Sequence, residues 1–314
     1  MDLDCLTLGE PLICFDSMGE PLDSTAMVRK YVAGAESNFA IGLARLGHAV
    51  GYVGRVGADS CGREIVRTLR GEGVDVTGLT ATDAAPTAIL LKECLGSGRV
   101  EVTYHRAASA GSTLDVSDLP EDFDGIRRLH VSGITLVLSP SARDATLAAM
   151  RRARAAGARV SLDANFRLKL APVSVLVEQF ERAATLADEV LIGRSEAALC
   201  AGSDDDVAVE RYVRSLAVGI AVLKGRRGGA TAFSDEGRLE VPARPVDVVD
   251  PVGAGDAFAV GFLHAMLAGE AIPDALESGG AVAARVITRH GDYHGLPYAD
   301  EFSPTAQLEM AVRR

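Results

Sequence analysis

Short apolar runs alternate with stretches rich in Ala and Leu along most of the chain. Runs of this length are typical of buried strands, and the longer stretches are typical of helices. The predicted strands are 4–8, 50–54, 129–132, 159–163, 189–192, 220–224 and 246–249, and the predicted helices are 37–46, 60–71, 141–156 and 256–268. Strands that alternate with helices pair in parallel through right-handed crossovers, so this feature predicts an α/β fold with a mostly parallel central sheet.

Two segments, 25–32 and 87–104, break the alternation and predict short strands of their own. The second contains a hairpin signal, Leu95-Gly96-Ser97-Gly98-Arg99. Strands drawn roughly from 11–33 and 86–106 would form a small β-sheet lid over an active site. Since no linker, repeat or low-complexity tract interrupts the sequence, we predict one domain over residues 1–314.

The formal net charge of −11 argues against a nucleic-acid partner, whose phosphates require Lys and Arg. The acidic N-terminus has no basic region of a signal peptide, and no apolar run reaches the length of a membrane span. The five cysteines are scattered and form no CxxC pair, which favours reduced thiols. These features predict a cytoplasmic protein without a membrane partner.

The stretch that ends in Gly253-Ala254-Gly255-Asp256 is the most informative about chemistry. Small residues let the backbone approach a ligand, and the N–H groups at a helix start favour an anion. A carboxylate at Asp256 can then accept the proton of an attacking hydroxyl group. The alternative is that Asp256 only caps the helix and the glycines only form a tight turn. No Walker A sequence occurs, which excludes a P-loop kinase.

At this loop the sequence resembles the ribokinase-like, or PfkB, family of carbohydrate kinases. The matching stretches are Asp250-Pro251-Val252-Gly253-Ala254-Gly255-Asp256, Ala33-Gly34-Ala35-Glu36-Ser37-Asn38, Leu43-Ala44-Arg45-Leu46-Gly47 and Val53-Gly54-Arg55-Val56-Gly57-Ala58-Asp59. They occur in the family's order over nearly the whole chain. The resemblance implies a ribokinase-like three-layer α/β fold.

Within the family, four further stretches are similar to the kinases of 2-keto-3-deoxygluconate. They are residues 104–106 with 109–112, residues 130–135 with 138–140, residues 161–167, and residues 291–297. The resemblance implies ATP-dependent phosphorylation of the terminal (C6) hydroxyl of that sugar acid.

The resemblance also implies roles for individual residues. Asp256 would be the catalytic base, and Gly253, Ala254 and Gly255 would stabilise the transferred phosphoryl group. The implied substrate-binding residues are Gly34, Asn38, Tyr104, Arg106, Ile134, Arg167 and Asp256. The implied nucleotide-binding residues are Asn165, Arg167, Lys224, Gly225, Gly229, Gly253 and Gly255. Glu196 would contact Mg²⁺ through water.

Each of these roles has a plainer alternative. Arg106 and Arg167 could grip a substrate carboxylate with paired hydrogen bonds, or they could be surface arginines. Tyr104 could be a core aromatic of the lid, Asn38 a helix cap, and Lys224 a solvated strand end. The family's Asn or Ser is replaced by Gly193, and the glycine after Lys224 comes one residue early, before Arg226.

The sequence leaves two other functions open. One is a fructokinase or another sugar kinase on the same fold, and the other is a sugar-binding regulator without catalysis. The exposed edges of a small sheet favour a homo-oligomer. Whether a monovalent cation binds near Asp250, and whether the galactonate epimer is accepted, also stay open.

Overall fold

The computed structural model describes residues 2–95, 99–225 and 229–302. Over these residues, nine strands form a large sheet and four form a second, small sheet. The strands are β1 (Cys5–Leu8), β2 (Leu12–Asp16), β3 (Arg29–Ala33), β4 (Val50–Gly57), β5 (Leu79–Thr82), β6 (Ile89–Leu95), β7 (Arg99–His105), β8 (Arg128–Ser132), β9 (Arg159–Asp163), β10 (Glu189–Gly193), β11 (Ile220–Lys224), β12 (Ala230–Ser234) and β13 (Gly237–Val241). The helices are α1 (Ala35–Arg45), α2 (Ser60–Gly71), α3 (Gly133–Leu138), α4 (Pro140–Ala155), α5 (Val173–Ala184), α6 (Arg194–Ala201), α7 (Asp206–Ser215), α8 (Ala254–Ala268) and α9 (Ile272–Val286).

The large sheet has the order β13-β12-β11-β10-β9-β8-β1-β4-β5. All neighbours from β11 to β5 pair in parallel, whereas β12 and β13 join as antiparallel strands at one edge. The mostly parallel sheet expected from the alternating sequence is therefore confirmed. Its carboxyl ends share one edge, where ligands of α/β proteins bind.

Helices cover both faces of the large sheet, which gives three layers. Along β11, Ile220 and Val222 join the core under α1, α2, α8 and α9, while Ala221 and Leu223 join the core under α4 to α7. Strands buried on both faces read as continuous apolar runs, which explains why these strands were recognisable in the sequence.

The small sheet, defined as β3-β2-β6-β7, has a core of its own that includes Cys14, Tyr31 and Leu90. Strand β2 pairs antiparallel with β3 and parallel with β6, and β6 pairs antiparallel with β7. The centre of the predicted hairpin apex, residues 96–98, lies outside the described residues.

Two expectations from the sequence are wrong in detail. No strand forms at 246–249; this segment of the described chain lacks regular structure. Its Val248 and Val249 are exposed, and the N–H groups of Val249 and Asp250 donate to the carbonyl of Ile287 at the end of α9 instead of to a strand. The strand expected at 25–32 begins only at Arg29, after an exposed turn.

Searching the described part of the chain, we find no helix with both the length and the hydropathy needed to cross a bilayer.

Candidate active site

A cleft lies between the small sheet and the carboxyl edge of the large sheet. Residues from both sheets and from α1, α3 and α8 surround it: Glu10, Leu12, Gly34, Ala35, Glu36, Asn38, Leu90, Lys92, Val102, Tyr104, Arg106, Ile134, Arg167, Val252, Gly253, Asp256 and Asp292. The cleft thus brings together all the substrate-binding residues that the sequence predicted.

Asp256 lies in the first turn of α8 and is 9% exposed. Its Oδ2 accepts from Asn38 Nδ2 at 2.9 Å, and its Oδ1 accepts from Asn165 Nδ2 at 3.2 Å. The N-cap of α8 is Gly253, without a side-chain cap bond, so the alternative of Asp256 as a helix cap is wrong. Two amide donors hold this carboxylate with a defined orientation toward the cleft.

The loop before Asp256 requires glycine for a steric reason. Gly253 has φ +84°, and a Cβ placed there would lie 2.6 Å from the backbone oxygen of Asp292. The first N–H groups of α8 have no partner within the helix, and the helix dipole favours negative charge at this end. Together, Gly253, Ala254 and Gly255 form a small, electropositive surface suited to an anion.

Lys224 ends β11 and points toward this surface, since a Cβ on Gly255 would lie 3.5 Å from its Nζ. The ammonium group also donates to both carboxylate oxygens of Asp163, each at 2.7 Å. Burial alone would lower the pKa of Lys224, but the carboxylates of Asp163 and Glu196 outweigh it and raise the pKa above its ordinary value. Lys224 is therefore a fixed cation beside the anion surface, not a solvated strand end.

Glu196 lies at the start of α6, beyond the end of β10. Its Oε1 accepts from the N–H of Phe166 and its Oε2 from the N–H of Gly193, each at 2.6 Å. Gly193 thus contacts Glu196 through its backbone N–H alone. Within residues 2–95, 99–225 and 229–302, no three His, Cys, Asp or Glu residues form a group that could hold a metal. The single carboxylate of Glu196 fits Mg²⁺, which commonly takes one or two protein carboxylates and otherwise binds water and nucleotide phosphates.

The two predicted arginines differ in their partners. The guanidinium of Arg106 is paired with the buried carboxylate of Glu10, with Nε–Oε2 at 2.6 Å and Nη2–Oε2 at 2.5 Å. Arg167 Nη1 donates to the carbonyl of Phe166, and no carboxylate of the described residues lies within ion-pair distance of Arg167. Burial alone would lower the pKa of Arg167, yet Tyr104 and Asp256 raise it. Arg167 is therefore the cation better placed to receive an anionic group in the cleft.

The remaining predicted residues lie around these groups. Gly34 is the N-cap of α1 with φ +124°, and Ile134, the second residue of α3, lines the cleft. Gly225 donates its N–H to the carbonyl of Gly229 at 2.6 Å, which closes the loop after β11. Residues 226–228, including Arg226, lie outside the described residues.

Four charged residues of the cleft had no predicted role: Glu10, Glu36, Lys92 and Asp292. Glu36 accepts from the hydroxyls of Ser132 at 2.5 Å and Thr135 at 2.7 Å, and burial raises its pKa. Glu36 looks like an ordinary acid in the first turn of a helix, but it lies in the matching stretch 33–38. Asp292 likewise lies in a stretch that the resemblance singled out, so that signal could have found both residues.

Comparisons with known proteins agree with this geometry. The model of the pfkB family carbohydrate kinases matches residues 6–299. The 2-dehydro-3-deoxygluconokinase of Bacillus subtilis is 36% identical over 321 residues, covering 100% of this chain and 98% of that protein. A fructokinase of Klebsiella pneumoniae is 37% identical over 278 residues, covering 85% and 89%.

A solved structure has the same fold. The aminoimidazole riboside kinase of Salmonella enterica, complexed with aminoimidazole riboside and an ATP analogue, superposes with a TM-score of 0.83 at 28% identity. The match covers 94% of this chain and 97% of that one.

Proposed function

Because this chain belongs to the pfkB family of carbohydrate kinases, we propose that it transfers the γ-phosphoryl group of ATP to the C6 hydroxyl of 2-keto-3-deoxygluconate. The observation that supports this substrate most directly is Arg167, which faces the cleft without a carboxylate partner among the described residues. A sugar acid brings a carboxylate that a guanidinium can bind with two parallel hydrogen bonds.

In the proposed reaction, Asp256 takes the proton of the attacking hydroxyl group. The hydroxyl oxygen forms a bond to the γ-phosphorus while the bond from phosphorus to the bridging β-phosphate oxygen breaks, and ADP leaves. Asn38 and Asn165 hold the two carboxylate oxygens, so the free lone pairs of Asp256 stay directed at the hydroxyl group. Most of the rate acceleration then comes from positioning and electrostatics.

The negative charge of the transferred group would be held by the backbone of Gly253 to Gly255 and by Lys224. Asn165, Gly225 and Gly229 would lie on the nucleotide side of the same edge. Glu196 would hold Mg²⁺ through water, and the metal would neutralise phosphate charge when bound. The small sheet covers the acceptor, which would exclude water and suppress hydrolysis of ATP.

We further propose that the protein is a cytoplasmic homo-oligomer. The turn between β2 and β3 exposes Met18 and Met27, and β3 itself is an edge of the small sheet. Exposed sheet edges commonly become covered by another chain. Light scattering after size exclusion tests this, and a monomer at micromolar concentration would contradict it.

The substrate is tested by measuring ADP release with Mg-ATP and a panel of acceptors. The panel contains 2-keto-3-deoxygluconate, its galactonate epimer, 5-keto-2-deoxygluconate, fructose, ribose and adenosine. We expect selective turnover of the 2-keto-3-deoxy acids. Preferred turnover of fructose would keep Asp256 as the base but reject the role of Arg167. No turnover of any acceptor would favour the sugar-binding regulator, which calorimetry with ATP would then examine.

A further inference from the structure

A buried lysine of the small sheet connects that sheet to the anion surface. Lys92 in β6 is 1% exposed, although its side chain ends in a charge. Its Nζ lies 2.5 Å from Asp250 Oδ2, 3.5 Å from Asp292 Oδ1 and 3.7 Å from Asp16 Oδ2. These carboxylates are also buried, and a lysine is almost never buried to this degree unless it is paired.

Asp250 holds the loop that leads to Gly253. Its Oδ1 accepts from the N–H of Val252 at 3.1 Å, and its Oδ2 accepts from the N–H of Gly291 at 3.2 Å as well as from Lys92. The neighbouring Asp292 places its backbone oxygen directly against Gly253. The ammonium of Lys92 therefore contacts both Asp250, which holds the loop before Gly253, and Asp292, whose backbone packs against Gly253.

The buried acidic side chains of Asp16, Asp250 and Asp292 require a positively charged partner. Burial alone would lower the pKa of Lys92, but Asp292, Asp250 and Asp16 raise it to about 12, so the amine stays protonated. Carboxylates buried without a positive partner would be strongly disfavoured. Lys92 therefore supplies the positive partner of the buried Asp250 side chain, which also accepts from the N–H groups of Val252 and Gly291.

A monovalent cation near Asp250 would compete with Lys92, because Oδ2 already accepts from the ammonium and from the N–H of Gly291. Both oxygens of Asp250 already have donors, and one of those donors is itself a cation. A metal ion placed against Oδ2 would have to displace the ammonium of Lys92. The side chain of Asp250 therefore does not fit a monovalent metal while Lys92 is present.

We propose that the Lys92 ammonium is the resident cation of the Asp250 loop and that it positions the Gly253–Gly255 anion surface from the small sheet. Lys92 is a positioning residue because it acts on the transferred phosphoryl group only through Asp250 and Asp292. The proposal concerns the anion surface and holds for whichever sugar is the acceptor.

The wild-type protein provides the first test. Turnover of the best acceptor of the panel and the melting temperature are measured at constant ionic strength in tetramethylammonium, sodium and potassium chloride. We expect both to be the same in all three salts. A specific requirement for potassium or sodium in either measurement would overturn the proposal, and the melting temperature needs no acceptor, so a wrong substrate assignment does not affect it.

The Lys92→Ala variant provides the second test. Mispositioning the anion surface should lower kcat about 100-fold and leave KM for the sugar nearly unchanged. Methylammonium, ammonium or potassium ions should then partly restore kcat and raise the melting temperature of this variant, since the vacated place by Asp250 can bind them. Lys30→Ala is the matched control, because Lys30 is a lysine of β3 in the same small sheet and pairs on the surface with Glu64.

Full kcat in Lys92→Ala, or a kcat loss that no small cation relieves, would contradict the assignment. If Lys92→Ala does not fold, Lys92→Met keeps the aliphatic stem and takes its place, and the wild-type salt series decides independently.

Discussion

Asp256 receives hydrogen bonds from two asparagine amides that come from different parts of the chain, Asn38 in α1 and Asn165 after β9. Each amide N–H donates to a different oxygen of the carboxylate, so the orientation of the Asp256 side chain is fixed from two directions. Asn165 has φ +42°, a backbone conformation that costs free energy for a residue with a side chain.

Replacing Asp256 by Asn should lower kcat by about 10²- to 10⁴-fold, because the amide cannot accept the hydroxyl proton. ATP binding, measured by calorimetry, should persist, and circular dichroism should show an unchanged fold. Asp274→Asn, an exposed acid in the first turn of α9, is the control and should keep full activity. Near-normal turnover of Asp256→Asn would show that Asp256 is not the catalytic base.

The two arginines should respond differently to substitution. Arg167→Ala should raise KM for the keto-deoxy acid by about 10- to 100-fold, the equivalent of one lost charged hydrogen bond, and change fructose kinetics little. Arg106→Ala should instead destabilise the protein, because it leaves the carboxylate of Glu10 buried without its partner. Steady-state kinetics with both acceptors and urea unfolding separate the two effects; equal KM changes for acid and neutral sugar in Arg167→Ala would contradict the first.

At the scale of elements, the start of α8 depends on the backbone of one glycine. Gly253→Ala should lower kcat, since the new Cβ would lie 2.6 Å from the Asp292 carbonyl and displace the helix start. Gly269→Ala is the matched control: it lies at the C-cap of the same helix with φ +79° and has no heavy atom within 4 Å of the added Cβ.

Both glycine variants should lose about 1 kcal/mol of unfolding free energy from the left-handed backbone conformation. Only Gly253→Ala should lose activity, by about 100-fold if the displacement reaches 1 Å. Urea unfolding and kcat measured on the same preparations test this, and a parallel loss of kcat in Gly269→Ala would reject the steric explanation.

Some elements with a clear apolar pattern could be predicted from the sequence to the residue. Strand β9 was expected at 159–163 and helix α2 at 60–71, and the structure has both at those bounds. The prediction of a strand at 246–249 was wrong because the repeated Val residues there resemble a strand. In the structure, the N–H of Val249 donates to the carbonyl of Ile287 at the end of α9. Periodicity identifies apolar faces but does not show which distant carbonyl an exposed segment will meet.

The same limit applies to the cleft. Gly253, Asp256 and Arg167 occur in stretches with a local pattern and could be predicted. Lys92 could not, because its partners Asp250 and Asp292 lie 158 and 200 residues away and a lysine in a strand ordinarily indicates a solvent-facing position. Ion pairs between residues far apart in the chain depend on the tertiary fold and produce no recognisable pattern in the sequence.

At the scale of the whole molecule, a buried histidine in the large sheet should make stability depend on pH. His130 in β8 is 3% exposed, is stacked on Phe39 and shares a hydrogen bond with Ser161. Burial, with Lys224 and Arg128 nearby, lowers its pKa from 6.5 to about 3. The native state thus excludes a proton that the unfolded chain accepts. The contribution of His130 to the free energy of unfolding is therefore complete above pH 6.5 and is lost as the pH falls toward 3.

For His130 alone, the unfolding free energy should fall by about 1.4 kcal/mol per pH unit below pH 6.5. Burial raises the pKa of Asp292 to about 6, and this residue makes the unfolding free energy change with pH in the opposite direction. The test therefore compares the pH dependence of a His130 variant with that of the wild type. Relative to wild type, His130→Asn should lose less stability between pH 7 and pH 5 in urea titrations. His290→Asn, at an exposed site, should follow the wild-type curve, and identical slopes in all three proteins would contradict the prediction.

The connections between the two sheets limit how the smaller one can move. Only residues 9–11 separate β1 from β2, and only Gly34 separates β3 from α1. Three extended residues span about 10 Å, so the start of β2 stays within about 10 Å of the end of β1. Gly34, with φ +124°, joins β3 directly to α1 and also lines the cleft. A sugar bound in the cleft would therefore touch one of the two short connections that fix the position of the small sheet.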